Sequence, residues 1–428
     1  MRAFGRSLAA VAVAGLAIRL VHVLAVTPDL RGIGDSGYYH DIANLLAGGH
    51  GFSDPFAFQA EGREQPTALH PPLFPLLLVL PSLVGLDSYL AHRATVALMG
   101  AATIVAVGLL ARRVGGERVG LLAAALAAAY PVLISADGAV MSETLFGLLV
   151  VLALLAAYGF RDHPKWQRAI HLGGIVGLAA LTRGEALILL PLVVVPLCLR
   201  APRRAVTLVA ATAACAAVIL PWTVRNLTTF DRVVPISTNE GSTLAGANCD
   251  AVYRGRDIGG WEIRCVPPIP GEESVQAARF RREGLEYALD HAGRLPVAMG
   301  ARVLRSFGLL QPLRHARNAE GRAETMEVLG AFAFYPVALL GVAGAVVLRR
   351  RRAPLYLLLA PVAVTAIVTA LGYGVPRFRH PADLALVVLA ATAIDALLRR
   401  REGSAERPGP GDQARAPVPR RPLPGPSR

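Results

Sequence analysis

Acidic and cationic side chains recur along this chain, each at the edge of an uncharged apolar run. Asp35 opens "DSGYYHDIANLLAGGHGF", His70 precedes "PPLFP", and Asp137 and Glu143 flank the turn in "SADGAVMSETLF". Arg183 and Glu185 lie in "LTRGEA", Arg225 and Asn226 in "LPWTVRN", and Arg377, Arg379 and His380 in "GYGVPRFRHPAD". Carboxylates placed this way could take a proton from an acceptor hydroxyl, and arginines could hold a phosphate through paired, charge-assisted bonds. No HExxH, P-loop, GxSxG or CxxC pattern is present, so metalloprotease, ATPase and serine-hydrolase chemistry has no support.

The elements that must carry these groups are apolar helices. "TLFGLLVVLALLAAYGF" (144–160) and "ATVALMGAATIVAVGLL" (94–110) hold no charge, and mean hydropathy over the 428 residues is +0.47. Such runs read as membrane spans, so the chain is expected to be an all-α polytopic membrane protein. The net charge of +14 does not point to nucleic acid, because the arginines cluster at the ends of apolar runs: "ARR" 111–113, "RAPRR" 200–204, "LRRRR" 348–352 and "LLRRR" 397–401. That pattern reports orientation, with the arginine-rich ends in the cytoplasm. The first apolar run resembles a signal peptide, but it contains Arg19 and lacks a convincing cleavage site, so it reads as a retained span.

Spans are expected at 7–27, 90–111, 118–136, 143–160, 169–182, 186–199, 205–222, 328–348, 353–371 and 382–398, about ten in all, with both termini cytoplasmic. Parity decides two uncertain stretches. Residues 71–86 are short, hold four prolines and would put the basic 111–118 segment on the wrong side if they crossed, so they read as an interfacial helix. The stretch 169–199 reads as two spans of about 14 residues, each roughly 21 Å against a hydrocarbon core of about 30 Å. The turn between them, "TRGE" (182–185), must then be paired or line a wet cavity. A structural Arg183–Glu185 pair is the plainer alternative.

The domain reading follows. Residues 1–222 form a transmembrane module whose first external loop is 28–89, 223–327 form a large external loop, 328–398 return to the membrane, and 399–428 read as a disordered cytoplasmic tail. In the first loop, Asp35 or Ser36 can cap a helix running to about Ala47 and closed by Gly48 and Gly49. Tyr38, Ile42 and Leu45, beside Tyr39, Ala43 and Leu46, make its apolar stripe. At this level Asp35 is open to two readings, cap or chemical group. Cys198 and Cys215 fall within spans as packing residues. Cys249 and Cys265 fall in the second external loop, where a disulfide is expected over two free thiols.

The motifs, in order, are "YYHDIANLLAGGHGF", "HPPLFPLLL", "MSETLF", "GLAALTRGEALIL", "PWTVRNLTTFDRVVPISTNEG" and "VPRFRHP", after an aspartate that follows the first span. Over about residues 10–395 this resembles the GT-C polyprenyl-phosphate-sugar glycosyltransferases, a group that includes protein O-mannosyltransferases and the aminoarabinose transferase of lipid A. The resemblance implies a GT-C-like fold with outer juxtamembrane helices in the first and the late external loops, 277–312 among them. It implies inverting sugar transfer outside the cytoplasmic membrane, from a flipped polyprenyl-phosphate sugar to a protein, lipid or wall-glycan acceptor. Asp35 falls on the family's first-loop aspartate, as base, and Glu143 on the acidic residue of the second external turn. His70 stands where relatives carry a basic residue, with Arg183, Arg377 and Arg379 as further partners for the donor phosphate. Tyr38, Tyr39, Asp137, Glu185, Arg225 and Asn226 would line the substrate cavity. Many relatives have "RY" near the last spans; here "RFR" lacks that tyrosine hydroxyl. No cofactor is expected to be required, and no motif supports a divalent cation.

Two other classes compete. A secondary transporter would show an internal repeat and charges midway across the membrane. No repeat is evident, and the charges gather on one side. A non-catalytic envelope assembly protein would have no use for acids and arginines assembled on one side.

Overall fold

The computed structural model describes residues 2–316 and 320–405. Residues 406–428, most of the expected tail, lie outside the described residues. Every sizeable element is a helix, and the described residues hold one isolated β-bridge, Ser53 with Pro66.

The chain opens with α1 (Arg2–Val21), extended by a π-turn to Val26. The first connecting segment folds into α2 (Asp35–Ala47), α3 (Pro55–Glu61) and α4 (Leu73–Ser82). Next come α5 (Tyr89–Gly115), α6 (Glu117–Ala129) and α7 (Pro131–Asp137). Ser88 caps α5 by accepting from the Ala91 N–H, and Gly116, at φ 91°, turns the chain into α6. Pro131 cannot continue α6, and α7 leaves it at 61°. There follow α8 (Glu143–Asp162), α9 (Trp166–Ala180), a run of 3-10 and π turns from Gly184 to Val194, α10 (Val195–Leu199) and α11 (Arg204–Thr229). The second connecting segment holds α12 (Asn239–Ala247), α13 (Asp250–Tyr253), α14 (Glu273–Asp290), α15 (Leu295–Ser306) and α16 (Pro312–Ala316). The chain then runs through α17 (Glu324–Arg350), α18 (Leu355–Leu371) and α19 (His380–Ala405), the last continuing seven residues beyond the expected end of the membrane region at 398.

Among the described residues, six helices are long and apolar enough to cross a membrane: Arg2–Val26, Tyr89–Gly115, Glu143–Asp162, Arg204–Thr229, Glu324–Arg350 and Pro376–Glu402. The bent α6–α7 pair makes a seventh. The expected ten is not reached by this measure. At 15 and 17 residues, α9 and α18 extend roughly 22 and 26 Å, short of a core of about 30 Å. The 184–199 stretch is broken by non-α turns, and α4, at ten residues, is too short to cross. The protein is a multi-pass membrane protein whose shorter helices leave room for non-helical backbone at one end.

The core runs through α5, α8 and α19, where Ile104, Val107, Val150, Leu154, Val387 and Val388 are buried. In lipid, apolar contact alone does not drive helices together, so close backbone approach matters more. Gly173 of α9 lies so near α11 that a Cβ there would stand 1.9 Å from the Ala211 carbonyl oxygen. Gly344 of α17 meets the Leu389 carbonyl of α19 in the same way. The arginine-rich helix ends collect at one end of the bundle. Arg118 pairs with Glu402, and Arg113 with Asp162.

Candidate active site

At the opposite end, four chain turns converge. Gly34, not Asp35 or Ser36, is the N-cap of α2, at φ 57°, and it supplies no side chain. Ser36 closes the local turn by accepting from the Ile33 N–H and donating to the Ile33 carbonyl. Asp35 is therefore the first helical residue, and its carboxylate is not spent on a cap. Oδ2 accepts from Arg377 Nη2 at 3.0 Å, and Oδ1 lies 3.4 Å from His70 Nε2. Burial pushes the Asp35 carboxyl up, but the Arg377 and His70 partners outweigh it and hold the group well below the usual carboxylate range.

Arg377 sits at the centre. Pro376 opens a 3-10 turn, Pro376–Arg379, and on that turn residues 377 and 379 face different ways. Arg377 Nη1 donates to Glu320 Oε2 at 2.9 Å, Nη2 also reaches the Tyr373 hydroxyl at 3.3 Å, and Nε lies 3.9 Å from Glu143. A tyrosine hydroxyl thus meets this arginine after all, from four residues upstream. Burial pushes the Glu320 carboxyl up, against Arg377 and with the help of Asp35 and Glu143. Glu143, buried at the start of α8, is tied to Arg183 at 3.2 Å and lies 3.8 Å from Arg322. Arg183, in the break after α9, also donates to Glu185 at 2.5 Å and packs over the Phe378 ring. The Arg183–Glu185 pair exists, but it is one part of a larger network.

Around this cluster lies a cavity of about 810 Å³. Asp35, His70, Arg183, Glu185, Glu320 and Arg377 form its polar part, while Ile188, Ile236, Val368 and Leu371 give it an apolar wall. Tyr38 and Tyr39 line it as expected, their rings 5.0 and 4.8 Å from that of His70. The Tyr38 hydroxyl bonds Thr67, and the Tyr39 hydroxyl donates to Ser142. Burial, with Asp35 nearby, pushes the Tyr39 hydroxyl up, so it stays a neutral donor.

Four expected site residues lie elsewhere. Asp137 is buried against Arg19 at 2.6 Å and accepts from Thr144, because an arginine inside the first span needs a counter-ion. Arg379 faces away from the cavity, bonding both Asp383 oxygens at 3.1 Å and stacking on Phe334. Arg225 donates to the Thr67 and Phe52 carbonyls and lies over Trp222, and Asn226 donates to the Val234 carbonyl. These two tie the connecting segments together rather than facing substrate. The sequence reading missed Glu320, Tyr373, Phe378 and Trp261, all on the cavity wall. The polar run "AEGRAE" before α17 was the available signal for Glu320. Cys249 and Cys265 form the expected disulfide, and Cys198 and Cys215 are buried free thiols. Among the described residues, no group of three or more His, Cys, Asp or Glu is disposed to hold a metal ion.

A carboxylate locked to a guanidinium at the polar part of a largely apolar cavity suits an anionic substrate with a lipid portion. Residues 69–226, a little over a third of the chain, match the family model of dolichyl-phosphate-mannose-protein mannosyltransferases. Across 94% of this chain, the helices superimpose on half of the Archaeoglobus fulgidus oligosaccharyltransferase tethered to an acceptor peptide, with TM-score 0.56 and 18% identity. The fold is GT-C. The oligosaccharyltransferase AglB from Archaeoglobus fulgidus, in complex with an inhibitory peptide and a dolichol-phosphate, matches with TM-score 0.54 at 18% identity, covering 95% of this chain and 52% of that one. ArnT from Cupriavidus metallidurans bound to undecaprenyl phosphate matches at TM-score 0.43 and 19% identity, over 92% of this chain and 79% of that one, too loosely to bear weight. The chain spans about half the length of the archaeal oligosaccharyltransferases it matches. No curated protein matches it. Within the GT-C fold, Asp35, Glu143, Arg183 and Arg377 come together from four separate turns.

Proposed function

We propose that this protein is a glycosyltransferase that moves a hexose or pentose from a polyprenyl-phosphate donor to an acceptor hydroxyl, with inversion, at the outer face of the cytoplasmic membrane. The observation that carries the reading is the Asp35–Arg377 pair at 3.0 Å, on a cavity that also receives Arg183 and His70. The apolar wall of Ile188, Val368 and Leu371 suits the first isoprene units, and the arginines suit the phosphate.

The acceptor oxygen attacks the anomeric carbon on the face opposite the phosphate. The bond from that carbon to the phosphate oxygen breaks, and its electron pair leaves with the lipid phosphate. Arg183 and Arg377 stabilise the charge that develops there. The acceptor proton passes to Asp35. With Arg377 bonded to it, Asp35 is ionised but only weakly basic. A donor phosphate draws on the same guanidinium, so Asp35 gains basicity as the donor binds. Glu143, bonded to Arg183, keeps that arginine oriented.

The test is donor profiling. Purified protein is incubated with a panel of polyprenyl-phosphate sugars, and release of free lipid phosphate is followed. Release from one donor or a few, accelerated by an acceptor, is expected; release from none overturns the reading.

A further inference from the structure

One wall of the cavity has no part in the chemistry above. Trp261 lies within the loop closed by Cys249 and Cys265, and it lines the cavity together with Tyr373 and Phe378. Its indole is held by its edge, with Nε1 donating to the Ser242 carbonyl of α12 at 3.0 Å. It lies directly on Gly246, where any Cβ would stand 2.1 Å from Nε1, so only glycine admits the ring there. The loop is also docked on the turn that leads to Arg377, since the Gly374 N–H donates to the Gly259 carbonyl at 2.8 Å. The three rings form a continuous track, with Trp261 and Tyr373 centroids 6.2 Å apart and Tyr373 and Phe378 4.9 Å apart. From its middle ring the Tyr373 hydroxyl meets Arg377, which meets Asp35. The indole therefore stands one aromatic ring away from the reacting groups.

We propose that Trp261 is a platform for a sugar ring, which packs its C–H face on the indole while its hydroxyls reach the polar residues of α12 beside it. Asn239, Ser242 and Thr243 of that helix line the same cavity. Aromatic faces flanked by amide and hydroxyl groups fit a saccharide, which is apolar on its ring faces and polar at its rim. The described residues hold no strand edge to which an extended peptide could add. The ring could belong to the donor or to a glycan acceptor, and both would present the same chemistry. The proposal rests on the glycosyltransferase reading for its role in transfer, but not for binding itself.

The test uses the full chain in lipid nanodiscs, free of sugar detergents. Methyl hexopyranosides and a methyl arabinofuranoside are titrated while the heat of binding is followed by calorimetry, a readout that does not depend on Trp261 itself. The wild type and Trp261→Phe should respond to at least one glycoside, and Trp261→Leu, which keeps apolar bulk without an aromatic face, should not. In transfer assays, Trp261→Leu should raise the KM of one sugar-bearing substrate about tenfold, as the loss of an aromatic contact implies. If only the donor KM moves, the platform holds the donor sugar; if only the acceptor KM moves, it holds a glycan acceptor. Identical titrations for wild type and Trp261→Leu overturn the platform, as does a KM increase confined to a sugar-free hydroxyl peptide. Glycoside binding at Trp261 without turnover of any lipid-phosphate sugar leaves the platform standing and removes the glycosyltransferase reading.

Discussion

Asp35 and Glu320 share one guanidinium, yet their surroundings push their proton affinities in opposite directions. Asp35 is depressed by Arg377 and His70 against the pull of burial, whereas Glu320 is raised, with burial as the main cause. A depressed carboxyl is ionised at and above its unfolded value of about 3.9, and its stabilising pairing is lost only as pH falls below that, through the folded value. Between pH 5 and 8, therefore, Asp35 should give no limb in the kcat/KM profile. An acidic limb in that range that vanishes in Glu320→Gln would belong to Glu320; one that persists there and vanishes in Asp35→Asn contradicts this account of the pair. Asp35→Asn should lower kcat by about 10²- to 10⁴-fold, the usual cost of losing a positioned base. Because Gly34 caps α2, the helix start should survive, and any loss of thermal stability should be limited to the pairing with Arg377 and His70. Full activity in the Asn variant would move the base to another carboxylate. That Asp35 follows the first span and stands at the start of a helix was legible in the sequence. Its freedom from capping was not, because the backbone angle of Gly34 is invisible in the sequence.

At the level of elements, the site depends on helices held at backbone contact. The α17–α19 crossing sets where the Arg377 turn enters α19, and Gly344 is its closest point. A methyl there would stand 1.8 Å from the Leu389 carbonyl oxygen, so the helices must part. Gly344→Ala should cost about 1–3 kcal/mol, as overpacking typically does, and reduce activity with it. Gly159→Ala on α8, where nothing lies within 4 Å, should be neutral or stabilising by up to about 1 kcal/mol. Thermal melts of the two variants in one detergent decide the matter, and equal melts would remove the close crossing. Hydropathy made the long helices legible, because charge-free runs of that length have few other readings. The misplacement of Asp137 had a different cause. Its partner Arg19 is 118 residues away, and no local pattern joins them. Arg225 and Arg379 failed similarly: an arginine near a span end looks the same whether it faces a cavity or a carbonyl. Only the packing of other elements distinguishes the two.

For the whole molecule, two independent physical signs give one orientation. The arginine-rich ends of α5 and α17 should face the cytoplasm, since cytoplasmic ends carry the excess of Lys and Arg. The Cys249–Cys265 disulfide belongs to the other end, with the site, and disulfides persist in oxidising compartments. Charge bias acts during insertion and disulfide chemistry acts afterwards, so neither sign depends on the other. The agreement predicts a labelling pattern. Arg256→Cys, exposed in the disulfide loop, should react with a membrane-impermeant maleimide in intact cells. Glu117→Cys, exposed at the α5–α6 turn, should react only after permeabilisation. The native free thiols, Cys198 and Cys215, are buried and should contribute little background. If Glu117→Cys labels in intact cells while Arg256→Cys does not, the site faces the cytoplasm. A flipped lipid donor would then have no route to Asp35, and the arginine distribution would need another cause.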